Sequence, residues 1–553
     1  MLSSALRRRW PRPHLIWAPL VLAAAIATAQ SGKGKAMRDT LTLHPHNPRC
    51  LLYRDKPIAL ITATEHYGAV LNGDYDYVTY LDELARHGLN LSRTFTFYRE
   101  REGSIGSLGY ANTLAPRPER EVLPWKRTGP GKAPDGRLKF DLTQWDADYF
   151  ARFRDFLAEA ARRDIIVEVV LFCNPYNTNE RWPWFPCHKD ANVNGVGGGI
   201  TECWQFMEAR DPTVFEFQKA FVRKIVQELN DFGNIYFEIC NEPSTRGRGG
   251  DDSRRMAEWQ LALCGVIRET EQALPKKHLI AVNAHDQVAA YTEDGRQYIE
   301  TGDAFYFDDP RVDIINYHYI SRRQPGRGTA VHYPTEPREG WVGRIWAFMK
   351  SRRSFGKSIV FDENWAGVVR GTPTNWDRNR MEAWETILAG GAGFDHLDWS
   401  FTPEDETGSG KAPIGDGRHL DGRALRKQLG ALATLWRECG PADMAPNDDL
   451  VVSVPPHCLG FASSRADGKL HVVYVADARA YDAGFGDALQ GEVVVRLAKG
   501  SYRLRVLSPV TGEWKDGGRA AVKGEHTRIP LAEFRQDCAL VLRARSLGST
   551  LIK

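Results

Sequence analysis

The chain has 553 residues, 42% hydrophobic and 26% charged, with 50 glycines and 30 prolines; these proportions are ordinary for a globular protein and exclude fibrous and disordered classes. At roughly 100–200 residues per domain, the length fits one large domain and one small one. The 73 basic and 70 acidic residues give a net charge of +3 with no Lys/Arg stripe interleaved with aromatics, so the electrostatic footprint of a nucleic-acid binder is missing.

The first 29 residues read as an export signal. Arg7, Arg8, Arg9 and Arg12 precede an apolar run over 15–27, which closes on Ala27-Thr28-Ala29, a small-residue cleavage pattern. The run is shorter than the roughly 20 apolar residues of a membrane span, so no stable membrane insertion is expected after cleavage. Removing it takes four arginines and no acids, leaving 69 basic against 70 acidic residues, a net of −1. The expected location is secreted or periplasmic.

Past Asp39 the sequence alternates short β-branched runs with longer helix-period segments, the pattern of parallel strands joined by helical crossovers. Eight strands are predicted: 58–63, 89–95, 165–172, 235–239, 279–282, 312–316, 359–361 and 394–399. Helix patterns cover 75–87, 145–163, 252–273, 339–354, 376–389 and 423–438. The clearest helix starts at Asp211-Pro212, an N-cap residue and an N1 proline, and carries Val214, Phe217, Phe221, Ile225 and Leu229 at helical spacing. The fifth crossover has the weakest helical signature. Together these predict an α/β fold, a (β/α)8 TIM barrel over residues 40–440. A doubly wound open sheet has no support, because no Gly-rich phosphate turn follows the first strand.

Two connections are long, 96–142 after strand 2 and 173–210 after strand 3, and both follow strand C-terminal ends, where barrels build their sites. Trp125, Trp182, Trp184, Phe185 and the glycines of 195–199 are expected to wall a groove there. After 441–449 the pattern becomes short alternating runs at 459–462, 470–475, 492–497, 502–507 and 539–542, predicting a C-terminal β-sandwich over 450–546. Its aromatics Tyr481, Phe485 and Trp514 are too few for a carbohydrate-binding row, so its expected role is structural. Nine cysteines leave at least one unpaired. Cys173 and Cys240 sit in strand patterns as packed thiols, while Cys187 with Cys203 and Cys458 with Cys538 are candidate pairs. No spacing resembles a zinc site.

Barrel catalysts sit just past strand ends, and two carboxylate-bearing ends stand out: Cys240-Asn241-Glu242-Pro243 after strand 4 and Phe361-Asp362-Glu363-Asn364 after strand 7. A carboxylate beside buried strands is desolvated and raised in pKa, as a general acid needs; an ionised partner across the pocket is what a nucleophile needs. Asn241-Glu242-Pro243 ending strand 4, with Glu363 ending strand 7, resembles the cellulase-like retaining glycoside hydrolases of clan A. The likeness spans roughly residues 47–440.

That resemblance implies Glu242 as acid/base and Glu363 as nucleophile, acting by double displacement on a β-linked carbohydrate with no metal and no cofactor. It also implies Arg93 on strand 2, Asn241, His318 on strand 6 and Trp399 on strand 8 as substrate- or carboxylate-binding residues. The family commonly has a tyrosine two residues after the strand-6 histidine, where this chain has Ile320, so Tyr317 is the expected substitute; strand alternation lets only one of Tyr317 and His318 face inward. His66, Asn174 and His285 lie near other strand ends as candidate sugar ligands. Two alternatives stay open: a non-catalytic glycan-binding barrel, and a metal-dependent hydrolase, for which the first strand ends in Glu65-His66-Tyr67 rather than His-x-His.

Overall fold

A computed structural model describes residues 39–101, 111–244, 250–284, 287–293, 296–320, 342–364, 376–414, 417–479 and 484–544. The segment expected to be an export signal, His285 and Tyr481 lie outside the described residues. Each of the eight predicted runs forms a strand of one parallel sheet: β1 (Leu60–Thr64), β2 (Leu91–Phe95), β3 (Ile166–Cys173), β4 (Ile235–Asn241), β5 (Ile280–Asn283), β6 (Ile314–His318), β7 (Ser358–Asn364) and β8 (Gly393–Leu397). They pair in the order β1-β8-β7-β6-β5-β4-β3-β2. At the β1–β2 seam Asn90 replaces a ladder: its side-chain oxygen accepts from the Ile61 amide at 2.9 Å and its own amide donates to the Ile61 carbonyl at 3.3 Å. Every residue of β3, β4 and β7 is buried, because one face meets the lumen and the other the helices, which is why they read as continuous apolar runs.

The helices are α1 (Tyr77–Arg86), α2 (Ala147–Arg162), α3 (Pro212–Leu229), α4 (Gly250–Glu271), α5 (Arg344–Ser351), α6 (Trp376–Leu388) and α7 (Arg423–Cys439). Asp211 caps α3 by accepting from the amides of Thr213 and Val214, and Val214, Phe217, Phe221, Ile225 and Leu229 form its buried stripe. The fifth crossover is not an α-helix but a hairpin, Gln287–Glu293 with Arg296–Thr301, followed by a 3-10 turn at Gly302–Phe305. A three-stranded antiparallel sheet (Thr42–His44, Asn47–Tyr53, Lys56–Ile58) precedes β1. Its Leu51 and Tyr53 pack with Leu60, Leu91, Ile166, Tyr236 and Ile314, closing the barrel at the strand N-terminal ends.

The two long connections are packed down rather than left as an aromatic wall. Trp125, Trp182 and Phe185 are buried, and Trp125 lies 5.1 and 4.9 Å from the rings of Phe217 and Phe221 on α3. That corrects the expectation of a groove lined by these rings: their apolar area anchors the loops to the outer helices. Trp184 is half-buried beneath the Arg99 guanidinium. Arg99 and Arg127 pair with Glu121 and Asp135, which ties the loop together before the hairpin of Trp125–Lys132 and Leu138–Trp145. Gly197 has φ +89°, and a Cβ there would lie 2.2 Å from the Cys187 carbonyl oxygen, so this turn admits only glycine.

After α7 the chain forms a six-stranded antiparallel sheet facing a three-stranded one. Five strands match the predicted runs. Met444–Pro446, Val451–Ser453, Trp514–Val522 and His526–Phe534 were not predicted, since their exposed, polar sequences lack a continuous apolar pattern. In Leu470–Asp477, Val473 and Val475 enter the sandwich core while Val472, Tyr474 and Ala476 pack on the barrel side. Tyr474 stacks on Trp384 of α6 at 4.9 Å, and Arg380 of α6 makes two hydrogen bonds to Asp537, at 2.9 and 3.0 Å. All nine cysteines are buried thiols, so neither candidate pair is bridged. Among the described residues no helix is long and apolar enough to cross a membrane.

Candidate active site

Alternation sends every second side chain of a barrel strand into the lumen. Arg93 of β2, Glu168 of β3, Glu238 of β4, Asn316 of β6 and Asp362 of β7 meet there with no exposed surface. Arg93 is the hub. Its Nε lies 3.7 Å from Glu168, its Nη2 bonds Glu238 and lies 3.2 Å from Asp362, and the Tyr67 ring covers it at 4.7 Å. Toward the mouth, Arg93 donates to Glu363 Oε2 at 3.1 Å and to Asn241 Oδ1 at 2.9 Å.

Two backbone irregularities shape the mouth. The β6–β7 register slips between the pairs Asn316–Val360 and His318–Glu363, and the β7–β8 register slips between Phe361 and Asn364. This bulge lets the consecutive residues Asp362 and Glu363 both reach the lumen, which a regular strand forbids. At the end of β4, Glu242 has φ +47°, a left-handed conformation that costs a non-glycine residue about 1–3 kcal/mol and turns its side chain over the strand end. Tyr67, Tyr176 and Tyr319, following β1, β3 and β6, share this conformation with φ of +60°, +59° and +52°.

Glu242 accepts from the Tyr176 hydroxyl at 2.7 Å, and its other oxygen lies 3.3 Å from His318 Nδ1. Glu363 accepts from Arg93 and from the Tyr319 hydroxyl. One oxygen of each glutamate and a nitrogen of His318 all lie within 4.8 Å of one another. The Glu242 side chain is 18% exposed and that of Glu363 8%, so the pair sits at the boundary between lumen and mouth.

Carboxylates outnumber cations here, and the electrostatics follow. Burial pushes Glu363 up to about 7, the Glu242 charge acting the same way and His318 and Arg93 opposing. Burial also drives Glu168 well above the carboxylate range, reinforced by Asp362 and Glu238. His318 behaves oppositely: burial disfavours its charge, but Asp362 and Glu363 raise it well above an ordinary histidine. Two groups of ligand-type side chains converge here, Glu242, His318 and Glu363 at the mouth and Glu238, His318 and Asp362 below, and the deeper one already holds the Arg93 guanidinium. The arrangement suits proton transfer and nucleophilic attack by paired carboxylates.

The structure therefore brings Glu242, Glu363, Arg93, Asn241 and His318 together. Asn174 is at the rim: its side chain donates to the Glu242 carbonyl at 2.9 Å and accepts from the Tyr176 amide at 2.8 Å, so it shapes the turn at Glu242. His66 and Trp399 meet edge to face at 4.5 Å past β1 and β8, and burial holds His66 neutral, with a pKa near 3. The reading of Tyr317 is corrected. Its hydroxyl donates to Asp303 at 2.7 Å and its ring packs on Phe348 of α5, outside the lumen, because β6 gives the inward position to His318.

Three residues escaped the sequence reading: Tyr319, Tyr176 and Asp362 as a partner of both cations. Tyr319 follows His318 directly, and the left-handed turn at the strand end, which the sequence does not mark, brings its hydroxyl to Glu363. Nothing in the sequence marks Tyr176 beyond its place after β3. Asp362 stood out only as the neighbour of Glu363 at the end of strand 7.

No protein-family model and no curated protein matches the chain. Among solved structures the fold is similar to a chain described as a glycoside hydrolase, with a TM-score of 0.57 and 13% identity over 91% of this chain and 97% of that one. It is also similar to a glycoside hydrolase family 5 structure from Bacteroides vulgatus, with a TM-score of 0.58 and 12% identity over 92% of this chain and 93% of the other. Both likenesses establish the barrel with its C-terminal β-rich region.

Proposed function

We propose that the protein is a retaining glycoside hydrolase that cleaves a β-linked poly- or oligosaccharide by double displacement. The observation that carries this reading is that one carboxylate oxygen of Glu242 and one of Glu363 lie within 4.8 Å of each other at the C-terminal mouth of the barrel. Retaining enzymes hold their carboxyl groups about 5–5.5 Å apart, whereas inverting ones leave about 6.5–9.5 Å for a water. The resemblance of the Asn-Glu-Pro segment and the glycoside hydrolases of like fold support it further.

In the first half-reaction Glu363 attacks the anomeric carbon while Glu242 gives its proton to the departing glycosidic oxygen. A glycosyl ester forms on Glu363 as the C–O bond to the leaving group breaks. In the second, Glu242 takes a proton from water, whose oxygen displaces Glu363 and restores the original configuration. With Glu242 protonated, the charge that helps raise Glu363 is absent, and Arg93, His318 and Tyr319 hold Glu363 as the anion that attacks and later leaves. Trp399 offers an aromatic face to the sugar being cleaved, and Asn241, His66 and Asn174 lie around it as polar partners. We place the reaction outside the cytoplasm, secreted or periplasmic, on the arginine-led apolar segment over residues 7–29.

Assaying the wild-type protein and the variants Glu242→Gln and Glu363→Gln on aryl β-glycosides and β-glycans tests the proposal. Hydrolysis by the wild type that collapses in both variants supports it. Undiminished turnover in either variant sinks it.

A further inference from the structure

Asp362 lies directly beside the proposed nucleophile, yet it cannot reach substrate. It has no exposed surface, and three groups converge on its Oδ2: Asn316 Nδ2 at 3.1 Å, Arg93 Nη2 at 3.2 Å and His318 Nε2 at 3.3 Å. Two of these are the cations of the site, and each holds a different member of the carboxylate pair. Arg93 holds Glu363 at 3.1 Å, and His318 meets Glu242 at 3.3 Å through its other ring nitrogen. A single buried oxygen thus joins both halves of the machinery from below: alternation from Val360 turns Asp362 inward, and the β7 bulge brings Glu363 in beside it.

We propose, on the double-displacement reading above, that Asp362 is a positioning residue that keeps His318 an imidazolium bridging Asp362 and Glu242, so that one buried carboxylate sets the working pH of the reacting pair. The contacts define the chain of effects. With Asp362 ionised at Nε2, the ring keeps both protons and points Nδ1–H at Glu242 Oε1. The same positive charge lies 4.0 Å from Glu363 Oε2 and helps keep it ionised. Other groups facing the ring are accounted for. Glu238 of β4 has an oxygen within 4.8 Å but is committed to Arg93; the uncharged side-chain amide of Asn283 on β5 has its Nδ2 2.8 Å from Nε2, so the imidazolium requires that amide turned over to accept through Oδ1; Tyr319 packs beside the ring at 5.4 Å. Burial disfavours an imidazolium here, and the Asp362 and Glu363 charges outweigh it.

Removing the Asp362 charge therefore lets His318 lose its proton at lower pH, by about 1–3 pH units for a charge partner at this range. Glu242 and Glu363 then lose a cationic neighbour, and both hold their protons to higher pH. In Asp362→Asn, the two limbs of the kcat/KM profile on an aryl β-glycoside are expected to move upward together by about 1 pH unit or more. A purely structural role would lower the amplitude and leave both limbs in place, and that result would overturn the proposal.

A second measurement needs neither activity nor the variant. In 15N-histidine NMR of the full-length wild-type chain, with the His318→Gln spectrum identifying the signal, His318 is expected to be doubly protonated at pH 7. A neutral His318 at that pH refutes the proposal even if hydrolysis is normal. A chain that hydrolyses no glycoside but keeps His318 charged refutes the glycosidase reading and leaves the ion-pair assignment standing.

Discussion

Replacing Glu363 by glutamine should make the protein more stable at alkaline pH while abolishing its turnover. Burial holds the Glu363 proton up to about 7 against an ordinary value of 4.5, a difference of about 3 kcal/mol in the cost of ionising the folded chain. Between those values the folded chain keeps a proton that the unfolded chain has released. Stability owed to this group is therefore full below pH 4.5 and falls as pH rises through about 7. Glutamine keeps the size of the side chain and never ionises. Arg93 loses one carboxylate but retains Glu168, Glu238 and Asp362, so no cation is left unpaired. The variant should thus gain up to about 3 kcal/mol at pH 8 and almost nothing at pH 4.5, read as the urea midpoint of each protein at both pH values. A variant less stable than wild type at pH 8, or a difference independent of pH, would refute the reasoning.

Tyr319→Phe removes a hydroxyl from Glu363, so kcat should fall by about 10- to 100-fold and the acid limb of kcat/KM should move to higher pH, while Tyr317→Phe leaves both kinetic constants unchanged and costs about 1 kcal/mol of stability. Steady-state kinetics across pH on both variants checks this pair. Asp537→Ala removes two charged hydrogen bonds from the fully buried Arg380, which keeps Asp377, and should cost about 1.5–3 kcal/mol in urea unfolding, whereas an exposed pair such as Arg503–Asp516 should cost nothing measurable. Trp399→Ala should raise KM by about tenfold on aryl glycosides with a smaller effect on kcat, measured by initial rates.

The eight barrel strands were legible because parallel strands buried on both faces need unbroken β-branched runs, and the Asp211-Pro212 start of α3 was legible because capping is local chemistry. What failed was whatever depended on departures from regular geometry. The sequence offers Tyr317 as the substitute for the tyrosine missing at Ile320, and Tyr319 goes unconsidered because nothing in the sequence marks the left-handed turn that ends β6. That Asp362 and Glu363 both enter the lumen could not be read, because a bulge has no sequence signature in Phe361-Asp362-Glu363-Asn364. The hairpin in the fifth crossover and the exposed sandwich strands carried too little apolar periodicity to register. Trp125, Trp182 and Phe185 drew attention as surface aromatics, but large rings in long loops do more to bury those loops than to line a groove.

The stereochemistry of hydrolysis tests the central claim most directly. Proton NMR of the purified full-length protein acting on an aryl β-glycoside that it cleaves reads the anomeric configuration of the sugar before mutarotation. A first-formed β-anomer is the predicted result of the double displacement, for which the approach of a Glu242 oxygen and a Glu363 oxygen to within 4.8 Å argues. A first-formed α-anomer would contradict the account.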